Sequence, residues 1–274
     1  MALETITRTA EKSSLMTIFR ELWAVRALVV LLSLREIKIR YKQTFLGFVW
    51  AVLTPFVLMV VFSLIFGGLA KMPSDGAPYP VFVFAGLLPW QLFSRTFSEI
   101  ANSFVANAAL IKKSFTPRLV FPVSSAFSGL VDFFVALVVF AFIVFYFDVI
   151  PGKMAFLVLV LPFYIVFVAF SAGLWLAVIN VEFRDVRYVV PFAVQLWFFA
   201  TPVVYPTSVV GEPWRSILAL NPLVPIIESF RWAVLDVSTP RVFDLAISFA
   251  VTAVMMVTGL WLYRKRVDVF ADRL

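Results

Sequence analysis

The 274-residue sequence contains no cysteine and no histidine, and only 14% of its residues are charged. Without cysteine there is no disulfide, thiolate nucleophile or thiolate metal site. Without histidine, imidazole ligation and imidazole acid–base chemistry are excluded too. The redox compartment is left unmarked. No GxxxxGK[ST] phosphate loop occurs, so the chain has no Walker site with which to hydrolyse ATP. No pair of polar groups is patterned for catalysis in water, and no catalytic or metal-ligating residue is expected. No internal repeat is evident, so any symmetry must come from a second copy.

What fills the space is apolar. The sequence is 62% hydrophobic with 32 Phe, more than a soluble fold of this size can bury. Several apolar runs exceed the roughly 18 residues that mark a membrane-spanning helix. The net charge of +7 could suit nucleic acid, but the cations cluster at the ends of the apolar runs. That is the membrane pattern, and no nucleic-acid partner is expected. The fold class is therefore an all-α polytopic membrane protein.

Residues 1–20 are polar and of mixed charge, without the basic start, short apolar core and small-residue site of a signal peptide, so they are expected to be retained. The apolar stretch 22–34 is too short to span and is interrupted by Arg26, which suits a helix lying along the membrane surface. It runs into REIKIRYKQTFLGFVWAVLTP, residues 35–55. At helical spacing Arg35, Lys38 and Lys42 share one narrow face, with Val30, Leu34, Ile37 and Tyr41 roughly opposite. Together with Arg40 these cations stand at headgroup level. The plain alternative is a positive-inside topology signal.

Spans are expected at 46–70, 81–111, 119–147, 154–181, 188–205 and 242–263. They lie between an N-terminal tail with its amphipathic interface helix (1–45) and a basic tail (264–274). Six spans place both termini on one side. Of the 23 Lys and Arg, roughly 17 fall on that side and roughly 5 opposite, with Arg95 buried, which makes the termini cytoplasmic. The second span is longer than a bilayer requires, so its far end should protrude. Between spans five and six the chain carries five prolines and apolar pieces too short to cross. Two short re-entrant helices are expected there on the outer face; an ordinary outer loop is the alternative.

Arg95 and Asp132 fall at a common depth in the second and third spans, with Glu99 one turn from Arg95. Intramembrane charges pair or face an aqueous path, so Arg95 is expected to pair with Asp132 or Glu99, or else to meet substrate. Aromatics such as Trp90, Phe93, Phe97 and Trp197 serve packing or membrane interfaces, although aromatic faces also stack on sugar rings.

Five strings in order carry a resemblance: residues 35–55 above, GLLPWQLF (86–93), LIKKSFTPRLVFP (110–122), VEFRDVRYVVP (181–191) and LNPLVPIIESFRWAVL (220–235). From about residue 22 onward the chain resembles the membrane subunit of ABC-2-type polysaccharide exporters, the permeases for O-antigen and teichoic-acid chains. The resemblance implies a homodimer of six-span subunits in the bacterial cytoplasmic (inner) membrane. It implies two cytosolic ATP-binding subunits that hold ATP and Mg, so that this chain itself carries no cofactor. It also implies a glycan on an undecaprenyl pyrophosphate anchor as substrate. Lys112, Lys113, Phe115 and Arg118 match the coupling loop, Arg184 and Asp185 a second cytoplasmic contact. Asn221, Pro222, Glu228, Arg231 and Trp232 match the outer gate region. The position of Arg35, Lys38, Arg40 and Lys42 suits the lipid pyrophosphate. A permease for a drug or small lipid, or a membrane enzyme acting on polyprenyl-linked sugars, remains the alternative.

Overall fold

The computed structural model describes residues 15–42, 47–113, 116–183, 185–237, 239–267 and 270–273, and these contain helices and no strand. Two helices come first, α1 (Leu15–Ala24) and α2 (Arg26–Lys42). The long helix α3 (Gly47–Phe62) then continues as a wider, π-helical run, Ser63–Leu69. α4 (Tyr79–Ala106) follows, with Pro78 and Pro80 setting its start. The short α5 (Ala108–Lys113) is separated from α4 by Asn107, whose side chain donates to the Ser103 carbonyl at 2.9 Å. The expected second span is thus two helices, and at the joint the Asn107 side chain shares the Ser103 carbonyl with its own backbone N–H.

α6 (Val120–Tyr146) and α7 (Leu157–Glu182) are long, α8 (Val186–Phe199) short. Next come the brief α9 (Trp214–Leu218) and α10 (Leu223–Leu235), then the long α11 (Val242–Arg266) and α12 (Phe270–Arg273). Among the described residues, four helices are long and apolar enough to cross a bilayer: 52–69, α6, α7 and α11. The fifth expected span shortens to 14 residues, about 21 Å. It ends at Phe199 because Pro202 and Pro206 follow within one turn or two.

α4 is the axis of the bundle. Its residues 81–90 are all buried, enclosed by α3, α6, α7, α8 and α10. That explains why α4 can be long yet less apolar than its neighbours: it faces protein rather than lipid. Phe84 stacks on Phe140 of α6 with centroids 5.4 Å apart. α7 comes close because Gly173 lies over Ile100, where an added Cβ would stand 2.9 Å from a side-chain carbon. In lipid, close packing of this kind replaces the hydrophobic effect as the force between helices. Polar side chains add bonds across the contacts. Asn180 donates to the Ala101 carbonyl at 2.9 Å, and Trp175 to the Met255 carbonyl at 3.2 Å.

The bundle has two distinct ends. At one, Arg266 of α11 pairs with Glu182 of α7 at 2.6 Å, and Phe270 packs on Phe104. At the other, Tyr79 donates to the Val204 carbonyl at 2.6 Å, and Ser248 to that of Pro222 at 2.8 Å.

Candidate functional site: a cleft with a charged end

α2 is built with three faces. Val29, Ser33, Glu36 and Arg40 recur at steps of three and four and form one stripe. This stripe turns inward: Ser33 is buried and donates to the Ser124 carbonyl of α6 at 3.1 Å, and Ser125 donates to Glu36 at 3.1 Å. Val30 and Leu34 form an exposed apolar face, and Arg35, Lys38 and Lys42 an exposed cationic one. The cationic face is exposed, and the face turned inward is the polar stripe, which the sequence reading did not single out. Burial pushes the Glu36 carboxyl up to about 7, with Glu99 adding to the rise; the Ser125 bond, Arg40 and Arg35 pull the other way.

Arg40 departs from the other cations of α2. Its guanidinium bonds Asp132 of α6 at 2.8 Å and also Glu99 of α4. Arg95 binds the same two carboxylates, Glu99 at 3.2 Å and Asp132. Ser128 donates to Glu99 at 2.6 Å, and the Tyr41 hydroxyl donates to Asp132. Arg95 therefore pairs with both of its expected partners, and the structure adds Arg40. Three helices meet in this cluster. The signal for it was the stripe on α2 facing Ser124, Ser125, Ser128 and Asp132, which recur at helical spacing on α6.

The cluster closes one end of a cleft of about 780 Å³ between α3, α4, α6 and α8. Arg40, Arg95 and Asp132 line it, and so do Trp50, Trp90, Phe133 and Phe198 with Gln91 and Gln195. Aromatic faces with amides between them can stack on rings and bond hydroxyls. Nothing in the local sequence marked Trp50, Gln91 or Gln195, because three separate helices bring them together.

Near the Tyr79 end of α4 a third arginine is sequestered. Arg231 of α10 is 3% exposed. It donates to the carbonyls of Pro202 at 2.8 Å, Val203 at 2.5 Å and Phe82 at 3.3 Å, and lies 3.6 Å over the Phe82 ring. Gly86 leaves the room: a Cβ there would stand 2.6 Å from the guanidinium. Asn221 joins α8 to α10. It accepts from Trp197 at 3.0 Å and donates to Thr201 at 2.9 Å. Pro222 accepts from Ser248, Thr207 donates to the buried Glu228, and Trp232 is half-buried. Of the expected outer residues, Arg231 holds the backbone of residues 202–205, while Asn221, Pro222 and Glu228 each bond to a different neighbour.

Of the expected coupling residues, Lys112 and Lys113 are exposed at the end of α5, behind a buried Ile111. Arg118 is half-buried, 5.8 Å from the Phe270 ring. Asp185 is exposed at the start of α8, where a negative charge suits the helix dipole. Phe115 and Arg184 lie outside the described residues.

The ABC-2 type transporter family model matches residues 27–235. The chain is 33% identical over 255 residues to the O-antigen export system permease protein RfbA of Myxococcus xanthus, covering 92% of this chain and 97% of that protein. A Klebsiella pneumoniae RfbA is 27% identical, over 89% of this chain and 94% of its own. The polysialic acid transport protein KpsM of Escherichia coli is also 27% identical, over 86% and 92%. With the family's pattern running through α2 to α10 and relatives matched along almost their whole length, this chain belongs to the ABC-2 type transporter family.

Proposed function

We propose that the chain is the transmembrane permease subunit of an exporter that moves lipid-linked polysaccharide of the O-antigen or teichoic-acid type across the bacterial cytoplasmic membrane. The observation that carries the reading is the cleft, with aromatic and amide walls suited to sugar and a charged inner end. The names of the relatives support the substrate class. In this reading there are six crossings. α4 and the short α8 complete the set begun by the four long apolar helices, α2 runs from the inner surface along α6, and α9 and α10 are re-entrant on the outer side. Both termini are cytoplasmic, where the cations gather.

Energy comes from two cytosolic subunits that bind ATP and Mg. The exposed Lys112 and Lys113 and the turn before α8 are where they dock. α5 continues the central helix α4, and the second turn leads into α8. A push at these points therefore reaches two walls of the cleft. α3 and α8 carry exposed apolar residues such as Phe56, Val60, Phe192 and Phe199; a second copy set against them encloses the path.

The test is made in cells lacking the chain. Surface polysaccharide should disappear, and polymer should accumulate inside on its lipid carrier until the chain is restored. Unchanged surface polymer, with loss of resistance to a drug instead, would contradict the polysaccharide reading.

A further inference from the structure

The charged end of the cleft has more than a structural ion pair needs. Two guanidiniums, from α2 and α4, face two carboxylates, from α4 and α6, and each carboxylate touches both cations. Each carboxylate also keeps a neutral donor, Tyr41 for Asp132 and Ser128 for Glu99. A carboxylate that lost its guanidiniums would still be hydrogen-bonded. That removes much of the penalty that normally locks a buried pair together. The cations are also reachable: the Arg95 side chain is 37% exposed and that of Arg40 20%, while Asp132 is buried beneath them, and all three border the cleft.

Resting on the reading of the cleft as the path of a lipid-linked anion, we propose that Arg40 and Arg95 form an exchange site for a diphosphate group, at which the incoming anion displaces Asp132 and Glu99. The chemistry favours a dianion with several oxygens. Two guanidinium forks joined through one carboxylate can grip neighbouring phosphoryl groups bidentately, which a lysine pair cannot do. Capture also has a mechanical result. Arg40 is the bond from α2 to Glu99, so its transfer to the ligand releases the end of α2 from α4. The Ser33–Ser124 contact, two turns back, still holds α2 to α6. Occupancy of the cleft is thereby reported to α2.

The experiment uses the full chain in phosphatidylcholine nanodiscs, titrated at constant ionic strength with inorganic pyrophosphate and with farnesyl pyrophosphate. R40Q and R95Q should each weaken binding roughly tenfold, whereas K153Q, exposed and outside the cleft, changes it less than about twofold. D132N should tighten binding because the competing carboxylate is gone, and E99Q supplies the same test should D132N not assemble. Tighter binding of the farnesyl compound assigns the site to a lipid; equal binding assigns it to the diphosphate alone. No binding by the parent chain, R40Q and R95Q binding like the parent, or carboxamide variants weakened as the arginine variants are, would each overturn the site. If that happens while cells still export polymer through the chain, only the site is lost. Unchanged surface polymer in cells without the chain removes the transport reading itself.

Discussion

Two arginine sites lie at different levels of the bundle, one near the Tyr79 end of α4 and one midway along α4 and α6, and they solve the problem of a charge inside a membrane protein differently. Arg231 is nearly inaccessible, and its hydrogen bonds go to backbone carbonyls of Phe82 and the segment 202–205. The carbonyls of 202–205 follow α8, where the helical ladder has ended, and backbone at such a depth must find donors inside the protein. Arg231 supplies them. Arg95 and Arg40 bond instead to carboxylates on neighbouring helices beside an open cleft. The first arrangement fixes a fold, because carbonyls cannot be displaced without unravelling the chain. The second can be rearranged, because its partners are side chains.

The comparison breaks most sharply at Arg231. R231A leaves at least three carbonyls without donors and should cost about 3 kcal/mol or more. It is expected to abolish the monodisperse protein recovered from detergent. R231K should fail as well, since one ammonium cannot replace the fork. R95A is expected to lose only about 1 kcal/mol, the pair being part-exposed, while export of polymer falls steeply. Thermal melting in detergent, set against a cell-surface polymer assay, separates the two. Equal destabilisation by R231A and R95A would erase the distinction between them.

A smaller effect concerns α2. The Glu36 carboxyl titrates near pH 7 in the folded chain against an ordinary value of 4.5, chiefly through burial. Between these values the undocked helix ionises first, so docking weakens as pH rises from about 4.5 to 7 and then levels off. Hydrogen exchange of the α2 amides, corrected for intrinsic rate, should show protection falling over that window. E36Q should flatten the profile, and an unchanged slope would assign the titration to another group. Least of all should the paired change K112E and K113E disturb the fold. Both side chains are exposed, so stability should hold within about 0.5 kcal/mol. Polymer export should fall nonetheless, and normal export would remove the docking role of α5.

Much of the bundle was legible in the sequence because lipid enforces long apolar runs with cations at their ends. The long helices α6, α7 and α11 lie within a few residues of the stretches expected. Arg95 with Asp132 or Glu99 followed from depth along two helices joined by a short link. The placement of Arg40 did not, because which face of α2 turns inward depends on the serines of α6 that receive it. The shortening of α8 could be suspected from Pro202 and Pro206, yet its length depends on how Arg231, some thirty residues later, captures the freed carbonyls. Trp50, Gln91 and Gln195 become neighbours only in three dimensions.

The most direct measurement is purification of the chain from its native membranes at physiological salt, followed by ATPase activity with and without undecaprenyl-linked glycan. The account predicts an ATP-binding subunit in equal amount, whose hydrolysis changes when the glycan lipid is added. Recovery of the chain with no ATP-binding partner, or with one indifferent to the glycan lipid, would contradict it.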